Sequence, residues 1–99
     1  MLVSVLEAVV QEGRTEELVD RFRAAGADLP RAMVESFLLH DVNTETWKVV
    51  TVWESRQALD EYRATVDTPA GITMFRSVGA EPTLSIFSVE GHAAQTLQR

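Results

Sequence analysis

The pattern of apolar and polar residues is clearest over residues 47–53, where six of seven residues are β-branched or aromatic. A run this continuous is typical of a strand that is buried on both faces. Ser55 follows, a residue type that often caps helices, and the apolar spacing then changes from every second residue to a helical repeat. The pattern therefore predicts a central strand that ends at Trp53 and leads directly into a helix over roughly residues 55–66.

The apolar pattern in the rest of the chain predicts three further strands from alternation and two further helices from helical spacing. The strands cover residues 2–10, 32–40 and 82–90, and the helices cover residues 15–26 and 68–77. Thr15 is predicted to cap the first of these helices, and Gly26 to follow its last turn. Thr68 is predicted to cap the second, with Pro69 in its first turn and Gly79 just beyond its end.

The polar residues 41–46 predict a hairpin loop between the second strand and the central strand. If that loop is symmetric, His40 lies opposite Trp47 and Val34 lies opposite Trp53. A shift of one residue in this pairing would reverse which side chains share a face.

The predicted order β-α-β-β-α-(α)-β is that of a ferredoxin-like subunit, which belongs to the α+β class and has a four-stranded antiparallel sheet. Two helices cover only one side of such a sheet, so the other side stays apolar and exposed. Its predicted members are Val3, Val5, Val9, Val50 and Val52. A second copy of the same sheet is the simplest cover, which predicts a homodimer. Residues 1–90 form the predicted domain and residues 91–99 a C-terminal tail.

Composition and charge exclude several classes of function. The 99-residue chain carries a net charge of -6, which argues against binding to nucleic acid or to an anionic membrane. It has no cysteine, and therefore no disulfide or thiolate chemistry. No apolar segment approaches the roughly 20 residues of a membrane span, and the first residues lack a basic signal-peptide start. We expect a soluble, cytoplasmic domain.

The hairpin, the Trp53-Glu54-Ser55 junction and the helical residues Ala58 and Tyr62 resemble the antibiotic biosynthesis monooxygenase family. Members of that family are dimeric α+β barrels. The resemblance implies a pocket between sheet and helices, lined by Trp53. In cofactor-independent members, an electron-rich aromatic substrate supplies electrons to dioxygen itself, so no cofactor and no metal are expected here.

The resemblance suggests a set of substrate-binding residues, namely Trp53, Phe22, Tyr62, Phe75 and Arg76, the last as a stabiliser of an anion. Three of them have a simpler structural alternative: core packing for Trp53, a wet rim position for Tyr62 and a solvated surface position for Arg76. Two functions therefore remain open. One is a cofactor-independent monooxygenase that acts on an aromatic or polyketide-type molecule. The other is a non-catalytic small-molecule-binding or accessory barrel domain.

Two residues that are typical of haem-degrading relatives are missing here, which argues against haem degradation. Haem-degrading relatives take a histidine ligand from the helical stretch after the junction and an asparagine from the first strand. This chain has neither, because His92 follows the last strand and His40 lies six strand residues from the level of Trp53, about 20 Å away. We expect both histidines on the surface and Met74 in the core.

Two carboxylates sit in otherwise apolar strands, at Glu7 and Glu35. With the pairing above, both lie on the predicted dimer side of the sheet. An ion pair with Lys48 is the expected role there, rather than acid–base catalysis. The sequence contains no glycine-rich phosphate loop and no serine- or metal-hydrolase motif.

Overall fold

The computed structural model describes residues 1–95, which form a four-stranded antiparallel sheet with three helices. In chain order the elements are β1 (Leu2–Val9), α1 (Thr15–Gly26), β2 (Met33–His40), β3 (Thr46–Trp53), α2 (Arg56–Thr65), α3 (Ala70–Ser77) and β4 (Thr83–Ser88). A short 3₁₀ turn at Glu12–Arg14 precedes α1. The strand order across the sheet is β2-β3-β1-β4. The predicted ferredoxin-like α+β fold is therefore confirmed.

The core lies between the helices and one face of the sheet. In β3, burial alternates strictly, and Trp47, Val49, Thr51 and Trp53 are the buried set. Buried side chains from α1 and α3 pack against this face, because those helices carry apolar residues at helical spacing. The core is completed by Leu6, Ala8, Val10, Leu18, Met74, Phe75, Val78 and Ala80.

The pairing of β2 with β3 agrees with the prediction at the hairpin and departs from it at the other end. His40 lies opposite Trp47, as predicted. Opposite Trp53, however, the structure places Met33 and not Val34, because the register shifts between Met33 and Glu35. A bulge of this kind adds one residue to one strand, so the side chains beyond it change faces.

The ends of α1 and α2 confirm one predicted cap and correct two predicted positions. Ser55 Oγ accepts a hydrogen bond from the Ala58 amide at 3.0 Å, so Ser55 caps α2 as predicted. Thr15 does not cap α1. The 3₁₀ turn runs directly into that helix, and the Thr15 hydroxyl donates backwards to the Glu12 carbonyl at 3.1 Å. Gly26 is the last residue of α1 rather than the residue beyond it.

The start of α3 differs from the prediction by one residue. Pro69, with an extended ψ of 142°, is the N-cap itself, and Thr68 lies outside the helix. Gly79 follows the end of α3 with a φ of +79°, as predicted. This left-handed conformation is one that glycine adopts without the steric cost of a Cβ atom.

The face of the sheet away from the helices is apolar and is called the open face below. Val3, Val5, Val50 and Val52 are half-buried there, whereas Val9 is 65% exposed. The edge strands add three exposed residues that the prediction omitted: Phe37, Leu39 and Phe87. The ion pair predicted on this face forms between Lys48 and Glu7, with Lys48 Nζ 3.2 Å from Glu7 Oε1. The second carboxylate predicted on this face, Glu35, lies opposite Val52.

Residues 91–95 form neither helix nor strand, and the rest of the predicted tail, residues 96–99, lies outside the described residues. The division into a domain of residues 1–90 and a tail therefore stays a prediction. Within residues 1–95, no helix combines the length and the apolar character needed to cross a membrane.

Candidate functional site

A cavity of about 470 Å³ lies between the buried face of the sheet and the three helices. Its walls are mostly apolar, with contributions from Leu6, Phe22, Met33, Leu59, Ile72 and Met74. Its volume falls within the range of about 300–1,000 Å³ that is typical of small-molecule sites. We therefore take this cavity as the candidate functional site.

Trp53 is held in the wall of the cavity by its own polar atom. Its side chain is 3% exposed, and its Nε1 donates a hydrogen bond of 2.8 Å to Ser4 Oγ on β1. The Tyr62 ring packs on it with a centroid distance of 5.3 Å and a tilt of 47°. The Tyr62 hydroxyl in turn accepts from the Ala70 amide at 3.1 Å, at the start of α3. These contacts fix two aromatic rings as one rigid wall.

Three hydroxyl groups form the polar part of the cavity floor. Ser4, Thr51 and Ser36 lie side by side on β1, β3 and β2, since both strand pairings place Thr51 opposite a serine. Thr51 and Ser36 share a hydrogen bond of 2.9 Å between their hydroxyl oxygens. Ser4 and Thr51 are only 7% and 6% exposed. We call these three residues the hydroxyl row.

Charged groups are confined to the rim of the cavity. Among its lining residues that the structure describes, the only charged ones are Asp28, Arg63 and Asp67, all of them exposed. The floor therefore offers hydroxyl groups but no carboxylate, ammonium or imidazole to act as an acid or a base. Chemistry at this site would depend on the reactivity of the bound molecule itself.

Close approach of α3 to β1 narrows the cavity at Gly71. A Cβ atom at this position would lie 2.6 Å from Leu6 Cδ1, well inside van der Waals contact. Glycine therefore leaves space for the Leu6 side chain at the wall. A larger residue would push Leu6 aside.

The structure brings together three of the five predicted substrate-binding residues. Trp53, Phe22 and Tyr62 all line the cavity. Phe75 does not, because α3 turns Met74 to the cavity and buries Phe75 completely in the core beside it.

Arg76 also lies away from the cavity, on the outer surface of α3. Its Nη2 lies 2.7 Å from Glu81 Oε1. The Glu81 carboxylate raises the pKa of Arg76, and the guanidinium lowers the pKa of Glu81 in return. The pair is exposed, which is typical of a surface ion pair of little energetic weight.

Neither histidine lines the cavity. His40 is exposed and stacks on Trp47 at the hairpin, with ring centroids 4.3 Å apart and an angle of 10°. Its Nε2 is 2.9 Å from the Thr44 carbonyl oxygen. His92 is exposed in the segment after β4. Over residues 1–95, no three side chains of His, Asp or Glu come together as metal ligands.

No family model and no curated protein matches the sequence. Several solved structures share its fold. The haem-degrading protein MhuD of Mycobacterium tuberculosis, solved with two haems in its active site, has a TM-score of 0.72 and 24% identity, covering 95% of this chain and all of that one.

Two further solved structures share the fold. A candidate antibiotic biosynthesis monooxygenase from Deinococcus radiodurans has a TM-score of 0.70 and 10% identity, covering 99% of this chain and 100% of the other. SnoaB, a cofactor-independent oxygenase from Streptomyces nogalater solved as a point mutant, has a TM-score of 0.67 and 16% identity, covering 95% of this chain and 97% of the other. These neighbours share the fold of this chain, which is the fold that the resemblance in the sequence implies.

The cavity of this chain does not fit a haem held by a strong axial ligand. Away from the rim, the possible iron donors among the described residues that line it are the sulfurs of Met33 and Met74 and the phenol of Tyr62. Thioethers alone are weak anchors, and the Tyr62 oxygen already accepts a hydrogen bond from α3. The fold is shared with a haem-degrading protein, but these residues do not supply the histidine ligand of haem degraders.

Proposed function

We propose that this protein binds a flat aromatic molecule in the cavity and oxidises it with dioxygen, without a bound cofactor. The observation that carries the proposal is the cavity itself, which is apolar and walled by Trp53 and Tyr62, and whose polar groups are hydroxyls on its floor. The fold that it shares with a cofactor-independent oxygenase supports the same conclusion.

An electron-rich substrate makes such a reaction possible with no other reductant. In the oxidation of an anthrone, for example, a CH₂ group becomes C=O and one molecule of O₂ is consumed. One oxygen atom enters the product, the other leaves as water, and all four electrons come from the substrate. The protein is required only to bind, orient and desolvate the reactants.

The residues of the cavity suit these tasks. Stacking against the ring of Tyr62, which is less buried than Trp53, contributes about 0.5–1.5 kcal/mol per ring pair beyond burial. Apolar walls exclude water from a reactive intermediate. Hydroxyl donors on the floor stabilise negative charge that develops on the substrate as it loses a proton.

A binding function without catalysis is the second candidate. It is favoured by one observation, namely that the charged residues lining the cavity, within the described part of the chain, are all at its rim. Without a general base, the cavity would hold a molecule that does not ionise readily and leave it unchanged.

We also infer that the protein is a homodimer through the open face. Val9, Phe37, Leu39 and Phe87 expose 45–65% of their surface on this face. Contiguous apolar surface of this kind marks an interaction site, and a twofold axis lets one patch cover itself. The Glu7–Lys48 ion pair within each sheet leaves few uncompensated charges to oppose the contact.

Oxygen uptake tests the proposed function. Hydroquinones, anthrones and naphthols are incubated under air with the wild-type protein, with Trp53→Phe and with Trp47→Phe. Trp47 is the matched control, because it lies on the same strand and the same face but does not line the cavity. We expect turnover that Trp53→Phe reduces and Trp47→Phe does not. Binding without oxygen uptake would favour the second candidate, and absence of both would refute the proposed site.

A further inference from the structure

Not every hydrogen of the hydroxyl row is used in a hydrogen bond within the described part of the protein. A hydroxyl carries one hydrogen to donate and two lone pairs to accept with. Ser4 Oγ accepts from the Trp53 indole, and among the residues that the structure describes no acceptor takes the hydrogen of Ser4 itself. The Ser36–Thr51 pair uses one of its two hydrogens internally and has one left. Two hydroxyl hydrogens are thus available on the floor of the cavity.

Spacing in the sheet places these two donors where one acceptor can meet both. Ser4 and Thr51 lie directly opposite each other on neighbouring strands. The Cβ atoms of such a pair are about 4.5–5.5 Å apart. An oxygen atom between their hydroxyls therefore lies within the roughly 2.8 Å that an O–H···O bond requires.

We propose that Ser4 and Thr51 form a two-donor site for a single carbonyl or phenolate oxygen, and that the ligand of this protein is an aromatic ketone or phenol that points this oxygen at the floor of the cavity. The inference rests on the proposed function and names the class of molecule that the same cavity takes.

The neighbours of the two donors set their direction. Trp53 Nε1 has a hydrogen and no lone pair to accept with, so the Ser4 oxygen must accept from it and the Ser4 hydrogen points elsewhere. In the proposed arrangement, Ser36 donates to Thr51 in the same way, and Thr51 donates to the ligand. The oxygen of each donor then accepts a hydrogen bond from a neighbouring residue, which polarises its own O–H bond. Consecutive hydrogen bonds of this kind strengthen one another in a site of low dielectric.

The chemical consequence concerns ionisation of the ligand. Loss of a proton from a phenol, or from an enolisable aromatic ketone such as an anthrone, places negative charge on this oxygen. Two preorganised donors stabilise the anion more than the neutral form, so they favour the species that transfers electrons to dioxygen. The row thus offers a substitute for charged groups, which the described lining residues provide only at the rim of the cavity.

The inference is tested by the binding of two flat molecules that differ in one oxygen. 9-Fluorenone carries a carbonyl group, whereas fluorene has the same rings with CH₂ in its place, and neither needs to react. Equilibrium dialysis gives the dissociation constant of each. One neutral hydrogen bond corresponds to a factor of about 2 to 12 in affinity, so we expect fluorenone to bind the wild type roughly tenfold more tightly.

Three variants identify the donor. Thr51→Val keeps the shape of the side chain and should remove at least threefold of the preference for fluorenone, with fluorene binding unchanged. Ser36→Ala should leave most of the preference, because its hydroxyl points at Thr51 and not at the ligand. The double variant Ser88→Ala/Thr73→Val is the control, since it removes the same two kinds of hydroxyl from exposed positions outside the cavity.

The possible results separate this inference from the proposed function. Equal binding of the two molecules by the wild type would overturn the two-donor site and leave the aromatic site intact. A preference that Ser36→Ala abolishes and Thr51→Val preserves would overturn the assigned donor. Absence of binding by both molecules would overturn the inference together with the aromatic site on which it rests.

Discussion

The hydrogen bond between Trp53 Nε1 and Ser4 Oγ links the end of β3 to β1, and we expect its removal to lower the stability of the fold. Both side chains are buried, and the bond is 2.8 Å long. Ser4→Ala removes only the oxygen, so the packing volume barely changes. The main effect is a buried indole N–H that has lost its acceptor.

The size of that effect depends on the cavity. A buried donor left unpaired costs about 1–3 kcal/mol. Because Ser4 and Trp53 both line a cavity of about 470 Å³, water can reach the indole and replace part of the lost bond. We therefore expect the lower part of the range, about 1–1.5 kcal/mol. For a domain of this size this corresponds to a fall of roughly 4–12 °C in Tm.

A double-mutant cycle isolates the bond from other effects. In a Trp53→Phe background, the Ser4 hydroxyl has no indole N–H to accept from, so Ser4→Ala should change the free energy of unfolding very little. Urea unfolding is followed by circular dichroism at one fixed protomer concentration, because association would make stability depend on concentration. Ser88→Ala, at an exposed position of β4 on the helix side of the sheet, is the control and should change stability by less than about 0.5 kcal/mol. Equal losses in both backgrounds would refute the assignment of the bond.

Sedimentation equilibrium should give twice the monomer mass of 11.0 kDa, and Val50→Asp should dissociate the dimer by placing a charge in a dry interface; a well-folded wild-type monomer at micromolar concentration would contradict this. Haemin should produce no sharp Soret shift on titration, whereas stoichiometric five-coordinate binding would contradict the absence of a haem cofactor. Arg14 and Arg21 lower the pKa of Glu17, so this exposed carboxylate stabilises the fold above its ordinary pKa and loses that contribution as the pH falls through the lowered value. Glu17→Gln should therefore flatten the acid limb of the stability–pH curve slightly, and an unchanged curve would argue against the pairing.

The central strand and its exit were predictable because several local signals agree there. The composition of residues 47–53, the cap at Ser55 and the helical spacing that follows all indicate one structure, and the structure has it. The element order and the position of Trp53 in a wall between sheet and helices follow from the same signals. Agreement between composition, capping and apolar spacing is what makes a sequence specify one fold.

Other details were not predictable, because they depend on pairing across the sheet or on the tilt of a short helix. Both Val34 and Met33 are apolar, so the pattern does not reveal the bulge that places Met33 opposite Trp53. Likewise α3 has only eight residues, and sequence spacing does not decide whether Met74 or Phe75 faces the cavity. Thr15 and Thr68 are good caps by type, but a preceding 3₁₀ turn and a following proline took precedence.

The hydroxyl row was missed as a site for a related reason. Ser4, Ser36 and Thr51 belong to three different strands, and each alone is an ordinary polar residue in an apolar segment. Only the register of both strand pairings brings them to one level. The available signal was that all three fall on the side of their strands predicted to face the helices, where a hydroxyl needs a partner.

The cavity opens to solvent at a rim of exposed charged residues, so without a ligand it is filled by water that the hydroxyl row can anchor. Water against walls of Leu6, Phe22 and Trp53 is poorly hydrogen-bonded, and its release by a flat apolar molecule is favourable. A cavity with a polar strip on an apolar floor thus exchanges water most readily for a molecule with one oxygen on an otherwise apolar frame.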